Sequence, residues 1–247
     1  ASEEELRAAL QNVNVEVITI KGTLGSTDEY TIYNVGRSVV IQGAKDAKVY
    51  GTFMVKANDV TIDNLAIQNK GDLQGESSNH RGAIYVFAEN VTITNNVITN
   101  GLGSNDGLSN AIQLMSPTAE NPLTNYVVTD NTVKGHSSEV TNFVSSGIVI
   151  AQGYRPGSAG AYVKVITASA EDYQTLLESN TFENNKINLT HQDWSKDSDE
   201  VVIYPVNEAY AVVRSKAELE AALQDVNVEE ITIKGTLGST DEYTIYN

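Results

Sequence analysis

The sequence predicts an all-β fold: a single-stranded parallel β-helix (solenoid) with a short N-terminal capping helix and a second copy of the cap and first strands at the C-terminus. Three observations carry this reading. Short β-branched runs punctuated by Gly, Asn and Asp extend from Val39 to Tyr204, a strand–Asn–strand unit recurs without gaps, and residues 2–34 return at 215–247.

The chain opens on a cap. Ser2 followed by Glu5, and Ser215 followed by Glu218, each form the pattern of a capping box at a helix start. Leu6, Ala9 and Leu10 recur at helical spacing, as do Leu219, Ala222 and Leu223, so each copy begins as a short helix with one apolar face. VITIKGTL, or EITIKGTL in the second copy, then alternates like a strand and ends near a glycine. The copies differ at five of 33 positions, and their last 17 residues are identical. Glu3 and Arg7 are spaced to pair, and their counterparts Lys216 and Glu220 reverse the signs. Val17 becomes Glu230, which predicts exposure at that position in at least one copy.

Strands follow at VVIQG (39–43), FMVKA (53–57), VTIDNLAIQN (60–69), AIYVFAENVTITNNVITN (83–100), NAIQLM (110–115), YVVTDNTVKG (126–135), SGIVIA (146–151) and YVKVI (162–166). EDYQTLLES (171–179) alone has helical character. Aligning VTIDNLAIQN, VTITNNVITN and YVVTDNTVKG places Asn96 and Asn131 in one column, with Leu65 above them, and LLESNTFENN brings Asn180 into that column when it is shifted by one residue. Asn tolerates left-handed backbone and hydrogen-bonds its neighbours, so the column predicts a structural stack at a bend between two strands.

The repeated N-VTI-xNN-xI-xN pattern resembles the parallel β-helix repeats of the pectate-lyase-like superfamily, and the opening helix followed by ITIKGTL resembles that superfamily's amino-terminal cap. The resemblance implies a right-handed parallel β-helix over residues 1–214, with 2–34 as its cap and 215–247 repeating the cap and first strands. It identifies an architecture shared by lyases, hydrolases, adhesins and binding proteins, so function has to be argued from sites.

Composition narrows the classes. A formal charge of −16 argues against nucleic acid, suits an extracellular or cell-surface protein and leaves carboxylates available for Ca²⁺. Without cysteine there is neither a disulfide framework nor thiolate chemistry. No apolar run is long enough for membrane insertion.

Insertions after the second strand of each unit carry most of the polar candidates. GDLQGESSNHRG (71–82) holds Asp72, Glu76, Asn79, His80 and Arg81, and GLGSNDGLS (101–109) holds Asn105 and Asp106. Later segments supply Glu120, Asn121, His136, Glu139, Tyr154 and Arg155. The resemblance implies, for a lyase, Ca²⁺ on Asp72, Glu76 and Asp106, with Arg81 or Arg155 as the base that takes a proton from a uronate sugar. Asn79, His80 and Tyr154 are the carbohydrate-contact candidates. Tyr85, Phe87, Tyr126, Tyr162 and Trp194 are further rings on which a sugar could stack. Nothing in the spacing compels this constellation, and the three histidines read as ordinary surface residues.

Three functional expectations result. The first is a non-catalytic, structural or adhesive extracellular solenoid of tandem units, with the chain its own partner end to end through 2–34 and 215–247. In that reading the second copy either folds onto the end of the first solenoid or replaces the first copy in another molecule. The second is a Ca²⁺-dependent polysaccharide lyase or a carbohydrate-binding protein. The third is an engineered β-helix scaffold with a copied terminal segment.

Overall fold

In the computed structural model, Glu3–Gln11 forms helix α1 behind a complete capping box: Glu5 N–H donates to Ser2 Oγ at 3.1 Å and Ser2 N–H to Glu5 Oε2 at 2.8 Å. Leu6 and Leu10 turn inward onto the first coil. Arg37 reaches back from that coil to the last-turn carbonyls of Ala9 and Leu10 at 2.8 and 2.9 Å, closing the helix's C-terminal end. The structure describes residues 2–27, 31–69, 82–100, 110–115, 120–135, 139–140, 143–144, 146–152, 165–185, 187–193, 200–204, 210–213, 219, 222–224 and 230–233.

Beyond α1 the chain winds through three stacks of parallel strands, a parallel β-helix-like arrangement. The first face stacks Val17–Ile20, Val39–Gly43, Val60–Asp63, Thr92–Thr94 and Val127–Thr129. The second stacks Thr23–Leu24, Lys48–Tyr50, Ala66–Gln68, Val97–Thr99, Thr132–Lys134 and Thr181–Glu183. The third stacks Ile32–Val35, Thr52–Val55, Ile84–Phe87, Ile112–Met115, Ile148–Gln152 and Leu189–Asp193, and Glu200–Tyr204 ends it with an antiparallel pairing.

Alternation along each strand sends every second side chain inward, and the registers line these up between coils. Ile18, Ile41, Ile62, Ile93 and Val128 form one column, and Leu24, Val49, Ile67, Ile98, Val133 and Phe182 another. On the third face Tyr33, Phe53, Ile84, Ile112, Ile148 and Leu189 align. These columns belong to one continuous buried cluster.

One predicted unit differs. LLES, aligned with strands by sequence, is the end of helix α2, Ala170–Glu178. A second capping box at Ser169 and Asp172 starts the helix, and Tyr173 and Leu176 lie at helical spacing, both buried in the main core. The helix takes the place of a sixth strand on the first face: Asp130 N–H donates to Ser179 O at 2.6 Å and Asn180 Nδ2 to Val128 O at 2.8 Å.

The second copy stands on its own among the described residues. Residue 219 and residues 222–224 are helical, and Leu219 and Ala222 pack on Ile231. Glu230–Ile233 pairs in parallel with Tyr210–Val213, the strand just ahead of it, as a two-stranded sheet separate from the three faces.

Candidate functional site

The asparagine column is a hydrogen-bonded ladder. Asn96 Oδ1 accepts from Leu65 N–H at 3.0 Å, and Asn131 Oδ1 accepts from both Asn96 N–H and Asn96 Nδ2 at 3.0 Å. Asn180 Oδ1 accepts in turn from Asn131 N–H at 3.1 Å and Asn131 Nδ2 at 3.0 Å. The amide groups also donate to the carbonyls of Ile62, Ile93 and Val128. Asn96 and Asn131 are buried, at 0% and 1% exposure, so each coil's corner is held to the next by amides that water cannot reach. The left-handed bend falls one residue earlier than the column: Asn64, Asn95 and Asp130 have φ of 53, 55 and 58°. The bend and the ladder are separate tasks given to neighbouring residues.

A second cross-coil set stands at the entry to the third face. Asn110 Oδ1 accepts from Ser146 N–H at 3.1 Å, Thr52 Oγ1 donates to Gly82 O at 2.6 Å, and the hydroxyls of Ser146 and Thr190 are 2.9 Å apart. Sequence alignment does not reveal it, because Asn110 and Ser146 flank segments of unequal length.

The three faces differ on their outer sides. The first and second turn Thr19, Gln42, Lys48, Gln68 and Lys134 outward. The third turns out Met54, Tyr85, Met115, Val149 and Ala151, all buried, with Ile32 and Phe87 packed against them. A strand covered on both sides is a continuous apolar run rather than an alternating one; IYVF is such a run, and TFMV and IQLM depart from it only at the buried Thr52 and Gln113. Tyr85 is tied down there, its hydroxyl accepting from Gly82 N–H at 3.0 Å. Among the described residues this outer side includes Gln113 and Thr190 but carries no carboxylate, lysine, arginine or histidine at a described side chain.

The chain leaves the second face after Gln68, Thr99 and Lys134 and rejoins the third before Ile84, Ile112 and Ile148. The 71–82 and 101–109 insertions therefore depart from one corner on consecutive coils. Asp72, Glu76, Asn79, His80, Arg81, Asn105 and Asp106 lie outside the described residues, as do His136, Tyr154, Arg155, Tyr162 and Trp194. The segment holding Tyr154 and Arg155 leaves the coil after Gln152, at the opposite edge of the third face. Topology thus separates the anchor of Arg155 from that of Arg81.

Other candidates have structural positions. Tyr126 is buried, donates to Ala88 O at 2.9 Å and accepts from Asn121 Nδ2 at 2.7 Å, so neither residue faces a ligand. His191 is turned inward at the end of a core column, its ring 6.3 Å from that of Tyr173, and is not a surface histidine. Glu120 and Glu139 begin short strands. Among the described residues no group of three or more His, Cys, Asp or Glu is placed to hold a metal ion, and no helix is long and apolar enough to cross a membrane.

Compared with known proteins, the chain matches no family model, no curated relative and no solved structure.

Proposed function

We propose that the chain is a non-catalytic extracellular β-solenoid, structural or adhesive, whose units follow one another in tandem through the duplicated segment. The supporting observation is a contrast between equivalent residues. Leu10 is 7% exposed and Ile20 2%, whereas their counterparts Leu223 and Ile233 are 40% and 52% exposed. Leu6 and Leu219, by contrast, are both buried. Among the described residues the second copy thus has the cap's helix-on-strand contact without a further core beneath it, which supports a unit begun over a lid closed on the first solenoid. That solenoid has its own ends, α1 at one and α2 with Glu200–Tyr204 at the other. The acidic surface suits a soluble, extended exterior.

Chains of one, two and three 213-residue units, the offset between the copies, test this by small-angle scattering. The expected result is a maximum dimension that grows by a constant increment per unit; units that collapse into a globule overturn it. Incubation with polyuronates and Ca²⁺ is expected to yield no unsaturated product, and turnover would replace this reading with the lyase.

A further inference from the structure

Val17–Ile20 is the edge strand of the first face, with one described partner, Val39–Gly43. Val40 N–H reaches Glu16 O at 3.0 Å and Ala44 N–H reaches Ile20 O at 2.8 Å, so the even-numbered residues turn their backbone groups to the second coil. Alternate residues of a parallel ladder face opposite edges, so the N–H and C=O groups of Val17 and Thr19 point the other way. Val17 is also 50% exposed, and a β-branched edge with neither proline nor inward charge is a template for another strand.

The second copy shows what such an edge takes. Its equivalent strand, Glu230–Ile233, pairs in parallel with Tyr210–Val213, in a register running from Tyr210 opposite Glu230 to Val213 opposite Ile233. The helical segment joining these two strands packs Leu219 and Ala222 on Ile231. Ile231 is the counterpart of Ile18, which faces the core enclosed by the first coil. Both crossovers therefore lie on the same side of their strands. Crossovers of one hand on one side add strands in one direction. With the right-handed crossover that parallel connections take in about 98% of cases, Tyr210–Val213 corresponds to a strand on the edge that Val17–Ile20 leaves open.

We infer that the open edge of Val17–Ile20 is a docking edge for the Tyr210–Val213 strand of a preceding copy of this unit, with Tyr210 opposite Val17 and Val213 opposite Ile20. This rests on the tandem reading and specifies its joint: a two-stranded parallel junction bridged by the cap helix.

The experiment places a copy of residues 200–213 directly before Ala1 and follows amide hydrogen exchange in the whole chain. The expected result is exchange at Val17 and Thr19 slowed by roughly ten-fold or more relative to the unextended chain. A second extended chain, with proline at the copies of Ala211 and Val212, is expected to restore the original rates while leaving Ile18 and Ile20 protected. Unchanged exchange at Val17 and Thr19 on extension, or protection that survives the two prolines, overturns the inference. If protection is absent while scattering still grows by a constant increment, units are joined by linker alone and only the docking edge fails. If protection appears while the increment does not, the edge stands and the tandem reading fails.

Discussion

Asn131 shows how much one side chain does in this fold. Its amide accepts two hydrogen bonds from Asn96 and donates to Ile93 O at 2.9 Å, Thr129 O at 3.0 Å and Asn180 Oδ1 at 3.0 Å. Removing it strands buried donors and acceptors on both neighbouring coils. Asn131→Ala is expected to cost about 3 kcal/mol, since each unsatisfied buried group costs roughly 1–3 kcal/mol. Asn180→Ala, at the half-buried end of the ladder, is expected to cost less, about 1–2 kcal/mol on the same grounds. Urea midpoints at unchanged slope measure both. Tyr33 makes a different prediction. Burial first, then the nearby Glu3 carboxylate, pushes its pKa from 10.0 up to about 12. A raised folded-state pKa contributes stability that is complete below the unfolded value and is lost as pH rises through the folded one. Tyr33→Phe should therefore lose less stability than wild type across the window from pH 10 to pH 12, where wild type loses this contribution. Paired thermal melts at several pH values would show the difference.

At the scale of elements, the two helices solve the same problem at different ends. A stack of coils exposes an apolar cross-section, and α1 and α2 each lay an apolar stripe across it, Leu6 and Leu10 in one, Tyr173 and Leu176 in the other. Both depend on capping boxes, so Ser2→Ala and Ser169→Ala should each cost about 1 kcal/mol. The end of the second strand of the first face is stricter. A Cβ on Gly43 would run into the backbone carbonyl of Asn64 in the next coil, and backbone cannot swing aside as a side-chain tip can. Gly43→Ala is therefore expected to exceed either cap deletion, at about 2–3 kcal/mol, by forcing the coils apart. Chemical denaturation of the three variants side by side gives the order.

Across the whole molecule, the duplicated segment gives two copies of one sequence in two environments. Leu10→Ala removes a side chain packed in the main core and is expected to cost about 2–4 kcal/mol. Leu223→Ala, chemically the same change at a position 40% exposed, is expected to stay within about 0.5 kcal/mol in this chain. In a chain continued by a further complete unit the two costs should converge, because Leu223 would then lie over coils of its own. Equal costs in the present chain, read from denaturation midpoints, would mean that the second copy is already part of a finished core.

The sequence by itself determined the periodic features. Alternating strands such as VTID and VTIT, the capping box at Ser2 and the shared column of Asn96, Asn131 and Asn180 are local or evenly repeated, and a coil that stacks on itself brings equal spacings into register. Tertiary structure decided what breaks the period. LLES aligns with strands, yet becomes the end of α2, because among the described residues no further first-face strand follows to pair beyond it, while an apolar helical face closes the core. Asn110 and Ser146 meet only after insertions of unequal length have been looped out. The buried outer side of the third face follows from a tertiary arrangement that mostly apolar strands such as IYVF do not specify alone, since the same run also suits the core side. The loop residues proposed for Ca²⁺ and sugar have no such periodicity: their chemistry depends on where insertions converge, which spacing along the chain does not encode.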